Sequence, residues 1–300
     1  MATMYHNPVL LKETVGGLNI NPDGVYVDVT FGGGGHSKEI LSRLGENGRL
    51  FAFDQDMDAL ENKIEDSRFT LINENFRHVK RFLRFYAVRQ VDGVLADFGV
   101  SSHQFDVAER GFSTRFEADL DMRMNQNNEL SAFHVVNTYS EEQLKQVLLN
   151  YGELRVAPAM ARAIVGARTE AEIVTSEQLK RVLKRFLSPK YENKILAQIY
   201  QAIRIEVNRE IEALREFLLQ LPELLKTGGR LSFISYHSLE DRLVKRFIRN
   251  GMFEGEPERD IFGNFEVPFK KVGGLIVPSK EEIKENSRAR SAKLRIAEKL

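Results

Sequence analysis

The sequence predicts an α/β protein with a parallel sheet that is interrupted by an all-helical segment. Three observations predict this fold class. A run of four glycines separates a strand-like segment from a helical one, strands and helices alternate up to residue 97, and helical patterns alone fill roughly the next hundred residues. A strand signal then returns near Gly228. We therefore expect one domain from residues 1–103 and 211–300, and an inserted helical domain from residues 104–210.

The glycine-rich loop follows the first predicted strand. Val25–Thr30 alternates β-branched and aromatic residues, and Gly32–Gly35 comes just after it. An amphipathic helical pattern containing Ile40, Leu41 and Leu44 begins directly afterwards. Glycines allow positive φ and a close approach to a ligand, and the following helix points unpaired N–H groups into the same space. The motif therefore predicts a small-molecule site.

A carboxylate at the tip of the second predicted strand narrows the choice of ligand. The apolar run Arg49–Phe53 ends at Asp54, 22 residues after Gly32. An acid at this position accepts hydrogen bonds from a ribose diol, in dinucleotide sites and in S-adenosylmethionine sites alike. The alternative is a cap for the helix that starts near Met57, a role that Asp56 could equally fill. We interpret the loop, helix and acid together as a nucleoside site.

The next elements continue the alternation of strands and helices. The pattern predicts a helix over Met57–Ile64, a short strand over Phe69–Asn73 and a helix over Val79–Arg89. The fourth strand, Val91–Asp97, also ends in a carboxylate. Because ligands bind beyond the carboxyl ends of parallel strands, we expect Asp28, Asp54 and Asp97 to face one crevice.

Helix signals dominate the inserted segment. Residues 104–130 are polar and loop-like, and they are too long for an ordinary connection. Capping boxes at Ser140–Gln143 and Thr175–Gln178 then open helices. The apolar spacing over Tyr191–Leu221 fits either one long amphipathic helix or two abutting helices.

The chain after the insert completes the predicted sheet. Gly228–Tyr236 has a strand pattern and is followed by a basic helix. Two later apolar runs, Phe265–Phe269 and Gly274–Val277, predict a closing hairpin at the edge of the sheet. The last segment, Asn286–Arg295, is a basic stretch.

Composition excludes several classes of protein. The chain has 300 residues, of which 42% are hydrophobic, so it can bury one large or two modest cores. Lys+Arg and Asp+Glu are equal at 43 each, so any RNA contact must come from local patches. The absence of cysteine excludes disulfides, thiolate zinc sites and a cysteine nucleophile, and we assign no metal ligands. With no signal pattern and no bilayer-length apolar run, we expect a soluble cytoplasmic protein without a membrane partner.

Eight motifs of the chain resemble those of the RsmH/MraW family. They are residues 28–37 (DVTFGGGGHS), Asp97–Ser102, Arg110–Ser113, Leu120–Met124, Gln201–Arg204, Gly228–Leu231, His237–Arg242 and Asn286–Arg290. They occur in the family's order, and the resemblance runs from about Val9 to Arg295. It implies a class I (Rossmann-like) methyltransferase sheet with an all-helical domain inserted between the fourth and fifth strands. It also implies methyl transfer from S-adenosylmethionine to the N4 amino group of a decoding-centre cytidine in 16S rRNA.

The resemblance also implies roles for particular residues. The cofactor contacts, from the glycine loop through the ribose and adenine to the reaction centre, would be Gly34, Gly35, His36, Asp54, Phe76, Asp97 and Gln104. Apart from these carried-over roles, we expect substrate contacts from Phe112, Arg204 and His237. Many family members have proline where this chain has His103, which changes the loop that places Gln104.

Asp97 is the predicted catalytic residue. The exocyclic amine of cytosine is a poor nucleophile because its lone pair is delocalised into the ring, and a carboxylate that accepts a hydrogen bond from the amine raises the electron density on it. The base must be single-stranded or flipped out of its stack. The candidate aromatic partners, each with core packing as the alternative, are Phe112, Tyr139, Tyr151 and Tyr236. His237 either lines the pocket or is structural.

Two basic stretches are candidates for contact with an RNA backbone. One is Lys180–Arg185 with Lys190 and Lys194 on the insert, and the other is Arg242–Arg249 after the fifth strand. Each could equally be a solvated helix face. The partner that the resemblance implies is 16S rRNA in the small ribosomal subunit or its late precursor. A homodimer remains an open alternative to a monomer.

Three other functions compete with this interpretation. A dinucleotide-dependent oxidoreductase would share the loop and Asp54, but its G-x-G-x-x-G spacing differs from the contiguous glycines followed by His36. A methyltransferase with a different RNA, protein or small-molecule acceptor would share every feature up to Asp97. A non-catalytic RNA-binding module has little use for a crevice rimmed by carboxylates.

Overall fold

The computed structural model describes residues 8–258, 262 and 265–300. The chain divides into two compact units. The sheet unit comprises the chain up to Gly99 and from Ile211 onward, and the helical unit comprises Val100–Glu210.

The sheet unit contains seven strands within the described residues. They are β1 Val25–Asp28, β2 Arg49–Phe53, β3 Phe69–Ile72, β4 Val91–Asp97, β5 Leu225–Ser235, β6 Phe269–Ile276 and β7 Lys293–Lys299. Their order in the sheet is β3-β2-β1-β4-β5-β7-β6. The first five are parallel to one another, and β7 is antiparallel to both β5 and β6. The strand order reverses between β1 and β4, which is where ligands bind in sheets of this kind.

Helices flank the sheet and fill the segment between β4 and β5. In the described residues they are α1 Leu11–Gly17, α2 Gly35–Arg43, α3 Val79–Phe85, α4 Ser102–Asp106, α5 Ala132–Thr138, α6 Glu141–Asn150, α7 Ala157–Arg168, α8 Ser176–Leu183, α9 Glu192–Asn208, α10 Glu210–Leu224, α11 Ser238–Asn250 and α12 Lys280–Glu285. The predicted α/β fold class, with helices inserted between the fourth and fifth strands, is confirmed. None of the described helices is both long enough and apolar enough to cross a membrane.

Local capping chemistry accounts for several helix starts. The predicted capping boxes are present, since Ser140 accepts the N–H of Gln143 and Thr175 accepts the N–H of Gln178. A third box, Ser101 with Gln104, opens the short helix α4 inside the segment that was predicted to be a loop. The prediction of a loop-like stretch from residue 104 was therefore wrong at its start.

Two predicted helices are shorter or tighter than expected. The segment that begins at Met57 is a 3₁₀ helix that ends at Asn62. Helix α3 ends at Phe85 rather than Arg89, because Ala87 adopts a left-handed conformation with φ of 59° that an α-helix cannot continue through.

The long apolar pattern after residue 191 resolves into two abutting helices. Helix α9 ends at Asn208, and α10 begins at Glu210. Between them Arg209 has φ of 48°, in the left-handed region that side-chain-bearing residues rarely adopt. The break is also where the chain passes from the helical unit back to the sheet unit.

The C-terminal hairpin pairs different segments from those predicted. Gly274 and Ile276 belong to the same strand, β6, as Phe269. The partner of that strand is β7, which begins inside the segment that the sequence marked only as basic. Helix α12 lies in the connection, so no short turn signal identified the pairing. The pairing of β6 with β7 shifts register between Val272 and Ile276, where the two glycines of β6 lie.

Each unit has its own apolar core. In the sheet unit, Phe98, Phe217 and Phe233 pack edge-to-face or tilted against one another with ring centroids 5.5 to 6.3 Å apart. This cluster lies under the carboxyl end of β4. In the helical unit, the buried core includes Phe112, Met160 and other apolar side chains from α5 to α9.

Candidate functional site

The glycine loop has the conformation that glycine alone adopts without strain. Gly32 and Gly34 have φ of 50° and 75°. A Cβ on Gly34 would lie 2.9 Å from the ring of Phe31, so even alanine would displace that ring. Gly34 is also the N-cap of α2, and no side chain caps this helix. The loop therefore leaves the positive end of α2 for a bound group to approach.

The residues that follow in the loop face the protein interior. A Cβ on Gly35 would lie 2.1 Å from Cγ of Pro8, so a side chain there would collide with the preceding segment. His36 is buried, and its Nε2 lies 3.1 Å from the carbonyl oxygen of Val9. Because a carbonyl only accepts hydrogen bonds, Nε2 carries a proton and donates it to Val9.

Asp54 joins the tip of β2 to the glycine loop. Its Oδ2 accepts the N–H of Gly32 at 2.8 Å, and its Oδ1 accepts the N–H of Asp56 at 2.9 Å. Burial raises the pKa of Asp54 to about 6, against the lowering effect of these two amides. Asp56, not Asp54, caps the following 3₁₀ helix by accepting the N–H of Asp58. Each carboxylate oxygen has a second lone pair, so Asp54 retains capacity to accept hydroxyl donors.

Asp97 lies at the carboxyl end of β4, between Tyr236 and His36. The hydroxyl of Tyr236 donates to its Oδ1 at 2.8 Å, and Nδ1 of His36 lies 4.0 Å from its Oδ2. The N–H of Asp97 donates to the hydroxyl oxygen of Thr30 at 2.6 Å. The side chain keeps 23% of its surface exposed, so it can still reach a ligand.

The charge state of Asp97 follows from this setting. Burial raises its pKa to about 6, while the positive field of His36 and the Tyr236 hydroxyl act to lower it. The carboxyl is therefore ionised at neutral pH but protonated in mild acid. Burial and the adjacent carboxylate raise the pKa of Tyr236 well above its usual range, so this phenol remains a hydrogen-bond donor.

Asp28 does not stand beside the other two acids on the rim. It is buried, and its carboxylate accepts the hydroxyl of Ser37 at 2.7 Å and the N–H of Thr30 at 3.1 Å. Burial raises its pKa. Asp28 therefore braces the start of the glycine loop from below, and the expectation that all three acids face one crevice was wrong for this residue.

Phe76 and His237 have structural contacts in the sheet unit. Phe76 is half-buried and packs edge-to-face on Phe98 and Phe217, at 6.0 and 5.3 Å between ring centroids. His237 is the N-cap of α11, where its Nδ1 accepts the N–H of Glu240 and its Nε2 lies 3.0 Å from a carboxylate oxygen of the same residue.

The expected site residues of the helical unit are also engaged within that unit. The Gln104 side chain accepts the N–H of Ser101, and Phe112 is buried in the core. Arg204 forms a two-point ion pair with Glu210, at 2.8 and 3.0 Å. These contacts account for all three side chains without a ligand.

The aromatic and basic candidates of the helical unit fall into two groups. The hydroxyl of Tyr139 donates to Glu206 at 2.7 Å, so this ring is fixed by the unit itself. On the surface, Arg185 stacks over Phe186, and Lys190 lies over the half-exposed ring of Tyr191. The second group combines positive charge with a flat apolar face, which suits unpaired nucleotides.

The sheet unit thus brings together five of the seven expected cofactor residues around the carboxyl ends of β1, β2 and β4. Gly34 and Gly35 form the loop, Asp54 anchors it to β2, and Asp97 faces it from β4 with His36 below. Sequence reasoning considered Tyr236 only as a stacking ring. Its position directly after β5, next to β4 in the sheet, was the available sign that its hydroxyl would meet Asp97.

Known proteins resemble this chain over almost its whole length. A model of the MraW methylase family matches residues 3–300. A relative from Christiangramia forsetii is 72% identical over 99% of this chain and 98% of its own, and one from Flavobacterium johnsoniae is 70% identical with the same coverage. A third, from Bacteroides thetaiotaomicron, is 55% identical over 98% of this chain and 97% of its own. All three are named ribosomal RNA small subunit methyltransferase H.

Proposed function

Because this chain belongs to the MraW methylase family, we propose that it transfers a methyl group from S-adenosylmethionine to the N4 amino group of a decoding-centre cytidine in 16S rRNA. The substrate is the small ribosomal subunit or its late precursor, in the cytoplasm. The shared name of the three relatives supports ribosomal RNA as the substrate. The observation that carries the reaction itself is the partly exposed, braced carboxylate of Asp97.

The site fits the cofactor on three counts. The positively polarised start of α2 suits a carboxylate such as that of the methionine moiety. Asp54 has lone pairs left for a ribose diol. Asp97 supplies a negative charge that complements a sulfonium. When bound, S-adenosylmethionine would supply an electrophilic methyl group, whose bond to sulfur breaks as the bond to the acceptor nitrogen forms, with a neutral thioether as the leaving group.

Asp97 activates the acceptor amine. Its carboxylate accepts a hydrogen bond from the N4 amine of cytosine, which increases the electron density on nitrogen as the nitrogen attacks the methyl carbon. Positive charge develops on that nitrogen, and the same carboxylate stabilises it. The amine then loses a proton, which Asp97 can accept because its pKa of about 6 is higher than that of an ordinary aspartate.

Tyr236 positions that carboxylate. The Tyr236 hydroxyl uses one lone pair of Oδ1, so the other lone pairs of the carboxylate can accept hydrogen bonds from other donors. Nε2 of His36 is committed to Val9, and its Nδ1 lies 4.0 Å from Oδ2 of Asp97, beyond hydrogen-bond distance. The Tyr236 hydroxyl therefore restricts the orientation of the carboxylate before a base arrives, which reduces the reorganisation that methyl transfer requires.

The helical unit is the substrate-recognition domain. The sequence predicted its bounds as residues 104–210. Its surface pairs of cation and aromatic ring, Arg185 with Phe186 and Lys190 with Tyr191, support contact with single-stranded RNA. Phe112 and Arg204 act in substrate binding only if their present contacts exchange for RNA contacts. His237 shapes the site through the start of α11.

The experiment that tests this function separates cofactor binding from transfer. S-adenosylmethionine at a hundredfold over its dissociation constant should raise the unfolding free energy by about 2.7 kcal/mol in both the wild type and Asp97→Asn. Only the wild type should transfer labelled methyl groups to unmodified small subunits at full rate. Near-full turnover by Asp97→Asn, with unchanged cofactor affinity, would remove Asp97 from the catalytic role.

A different acceptor remains the alternative within the same family. The cofactor residues and Asp97 would serve another RNA amine equally well. Nucleoside analysis of the labelled product distinguishes the two, because methylation at N4 of cytidine and methylation of another base give different modified nucleosides.

A further inference from the structure

A cavity in the sheet unit lies away from the glycine loop. It has a volume of about 450 Å³ and opens between α11 and the edge strand β6. Its lining residues are Lys245, Ile248, Arg249, Val267, Phe269, Lys270, Lys271, Gly274, Arg295 and Ile296. We call this cavity the edge pocket. None of the residues assigned to the cofactor or to catalysis lines it.

All the charged side chains that line the edge pocket are positive. Two of its five cations already have ion-pair partners, since Arg295 pairs with Asp241 at 2.8 Å and Lys270 pairs with Glu298 at 2.9 Å. The other three cations are Lys245, Arg249 and Lys271, and all are exposed. No carboxylate in the described part of the chain forms an ion pair with any of these three. The pocket therefore has unbalanced positive charge although the whole chain has a net charge of zero.

The floor of the edge pocket is apolar. Ile248, Phe269 and Ile296 are each buried, with 6%, 1% and 8% of their surfaces exposed. A site with an apolar floor and a cationic rim complements a ligand that has both a flat hydrophobic part and a negative charge. A nucleotide has this combination, since its base is flat and its phosphate is anionic.

The position of the edge pocket along α11 relates it to the reaction centre. Helix α11 begins at Ser238, two residues after Tyr236. Lys245 and Arg249 follow by 7 and 11 residues, which places them roughly 10 and 16 Å further along the helix axis. A short single-stranded segment of RNA can cover such a distance.

We infer that the edge pocket binds a nucleotide of the substrate RNA a few positions from the methylated base, with its base on the apolar floor and its phosphate on Lys245, Arg249 and Lys271. This inference rests on the proposed function, because it takes RNA as the partner. It adds a second point of attachment that fixes the register of the RNA strand. A site that reads the backbone in this way strengthens binding and leaves the methyl-transfer step unchanged.

The test replaces two of the free cations with neutral side chains, in the variant Lys245→Gln/Arg249→Gln. Both side chains are exposed, so the fold should persist. The matched control is Lys12→Gln/Lys284→Gln, two exposed lysines of the same unit outside the pocket. Binding of a fluorescent single-stranded RNA that contains the target cytidine is measured against salt concentration, and steady-state methylation of small subunits is measured alongside.

Loss of two phosphate contacts should lower the slope of log K against log salt by about 1.4, because each contact to a single strand contributes about 0.7. In 0.1 M salt this corresponds to about 25-fold weaker binding. The KM for small subunits should rise with it, and kcat and the cofactor-induced rise in Tm should be unchanged. The control variant should bind RNA as the wild type does.

Equal salt slopes for the pocket variant and the control would overturn the inference. Competition identifies the ligand: cytidine monophosphate should displace the RNA from the wild type at lower concentration than inorganic phosphate does, and equal potency would contradict a base on the apolar floor. The RNA-binding readout does not require turnover. A protein that binds RNA through the pocket but methylates no cytidine would refute the proposed function and leave only RNA binding at the edge pocket standing.

Discussion

Replacing Asp97 with asparagine should separate stability from catalysis. Asparagine has nearly the same shape and keeps an acceptor for the Tyr236 hydroxyl, but it carries no charge. Turnover should fall by about 100-fold or more, the usual loss when a transition-state hydrogen-bond partner is removed. The same substitution should stabilise the folded protein at neutral pH, because a partly buried carboxylate is costly to ionise.

The size of the stabilisation follows from the pKa of Asp97. Burial raises it from 3.8 to about 6, and each pKa unit corresponds to about 1.36 kcal/mol, so the ionised carboxylate costs at most about 3 kcal/mol. Because 23% of the side chain is exposed, solvent screening reduces this to about 2 kcal/mol. For a chain of 300 residues, that raises Tm by about 3 °C.

The predicted difference in Tm between Asp97→Asn and the wild type depends on pH. The folded-state pKa is higher than the unfolded one, so the contribution of Asp97 to stability is fully present below pH 4 and is lost as the pH rises through about 6. The asparagine variant has no such loss. The difference in Tm between variant and wild type should therefore be near zero at pH 3.5, partial at pH 4.5 and complete at pH 8.

Thermal unfolding by calorimetry across this range is the assay. Asp66→Asn is the control of opposite sign, because its hydrogen bonds with Arg68 lower the pKa of Asp66 to about 2, so that variant should lose stability above pH 4. If Asp97→Asn had the same Tm as the wild type at pH 8, or a difference independent of pH, the assignment of a carboxylate that is costly to ionise at the end of β4 would be wrong.

Three further substitutions test the remaining parts of the site. Tyr236→Phe removes a hydrogen bond that lowers the pKa of Asp97, so the acid limb of the pH–rate profile, expected near pH 6, should move to higher pH; an unmoved limb would contradict that contact. Gly34→Ala places a side chain at φ of 75°, which costs about 1–2 kcal/mol. Calorimetric titration should therefore show weaker cofactor binding. Unchanged affinity would contradict the assignment of the glycine loop to the cofactor. Arg204→Ala leaves the Glu210 carboxylate without its ion-pair partner and should lower the unfolding free energy by about 3 kcal/mol, measured by urea unfolding. The double variant Arg204→Met with Glu210→Leu should restore most of that loss. An unchanged unfolding free energy in Arg204→Ala would contradict the ion pair.

The elements that the sequence predicted are those with strong local signals. Alternating apolar runs identified β1, β2 and β4, and side-chain caps identified α6 and α8, because these patterns depend on neighbouring residues only. The hairpin of β6 and β7 was mispaired, since its two strands are separated by α12 and a polar connection. A pairing across such a distance is decided by tertiary packing, which local patterns do not encode.

The candidate site shows the same division. The positions of Asp54 and Asp97 at strand ends follow from topology, so a sequence pattern was sufficient to bring them to one edge of the sheet. Asp28 occupies an equivalent place in the pattern but is turned inward by the hydroxyl of Ser37, nine residues later. The bond between Tyr236 and Asp97 joins residues 139 positions apart, and no motif in either segment specifies it.

The central claim is transfer of a methyl group to a cytidine amine of the small-subunit RNA. The most direct measurement incubates the protein with labelled S-adenosylmethionine and small ribosomal subunits that lack the modification, and then identifies the labelled nucleoside. We expect label in N4-methylated cytidine for the wild type and little for Asp97→Asn. Tight cofactor binding with unlabelled RNA, or label in any other nucleoside, would contradict the account.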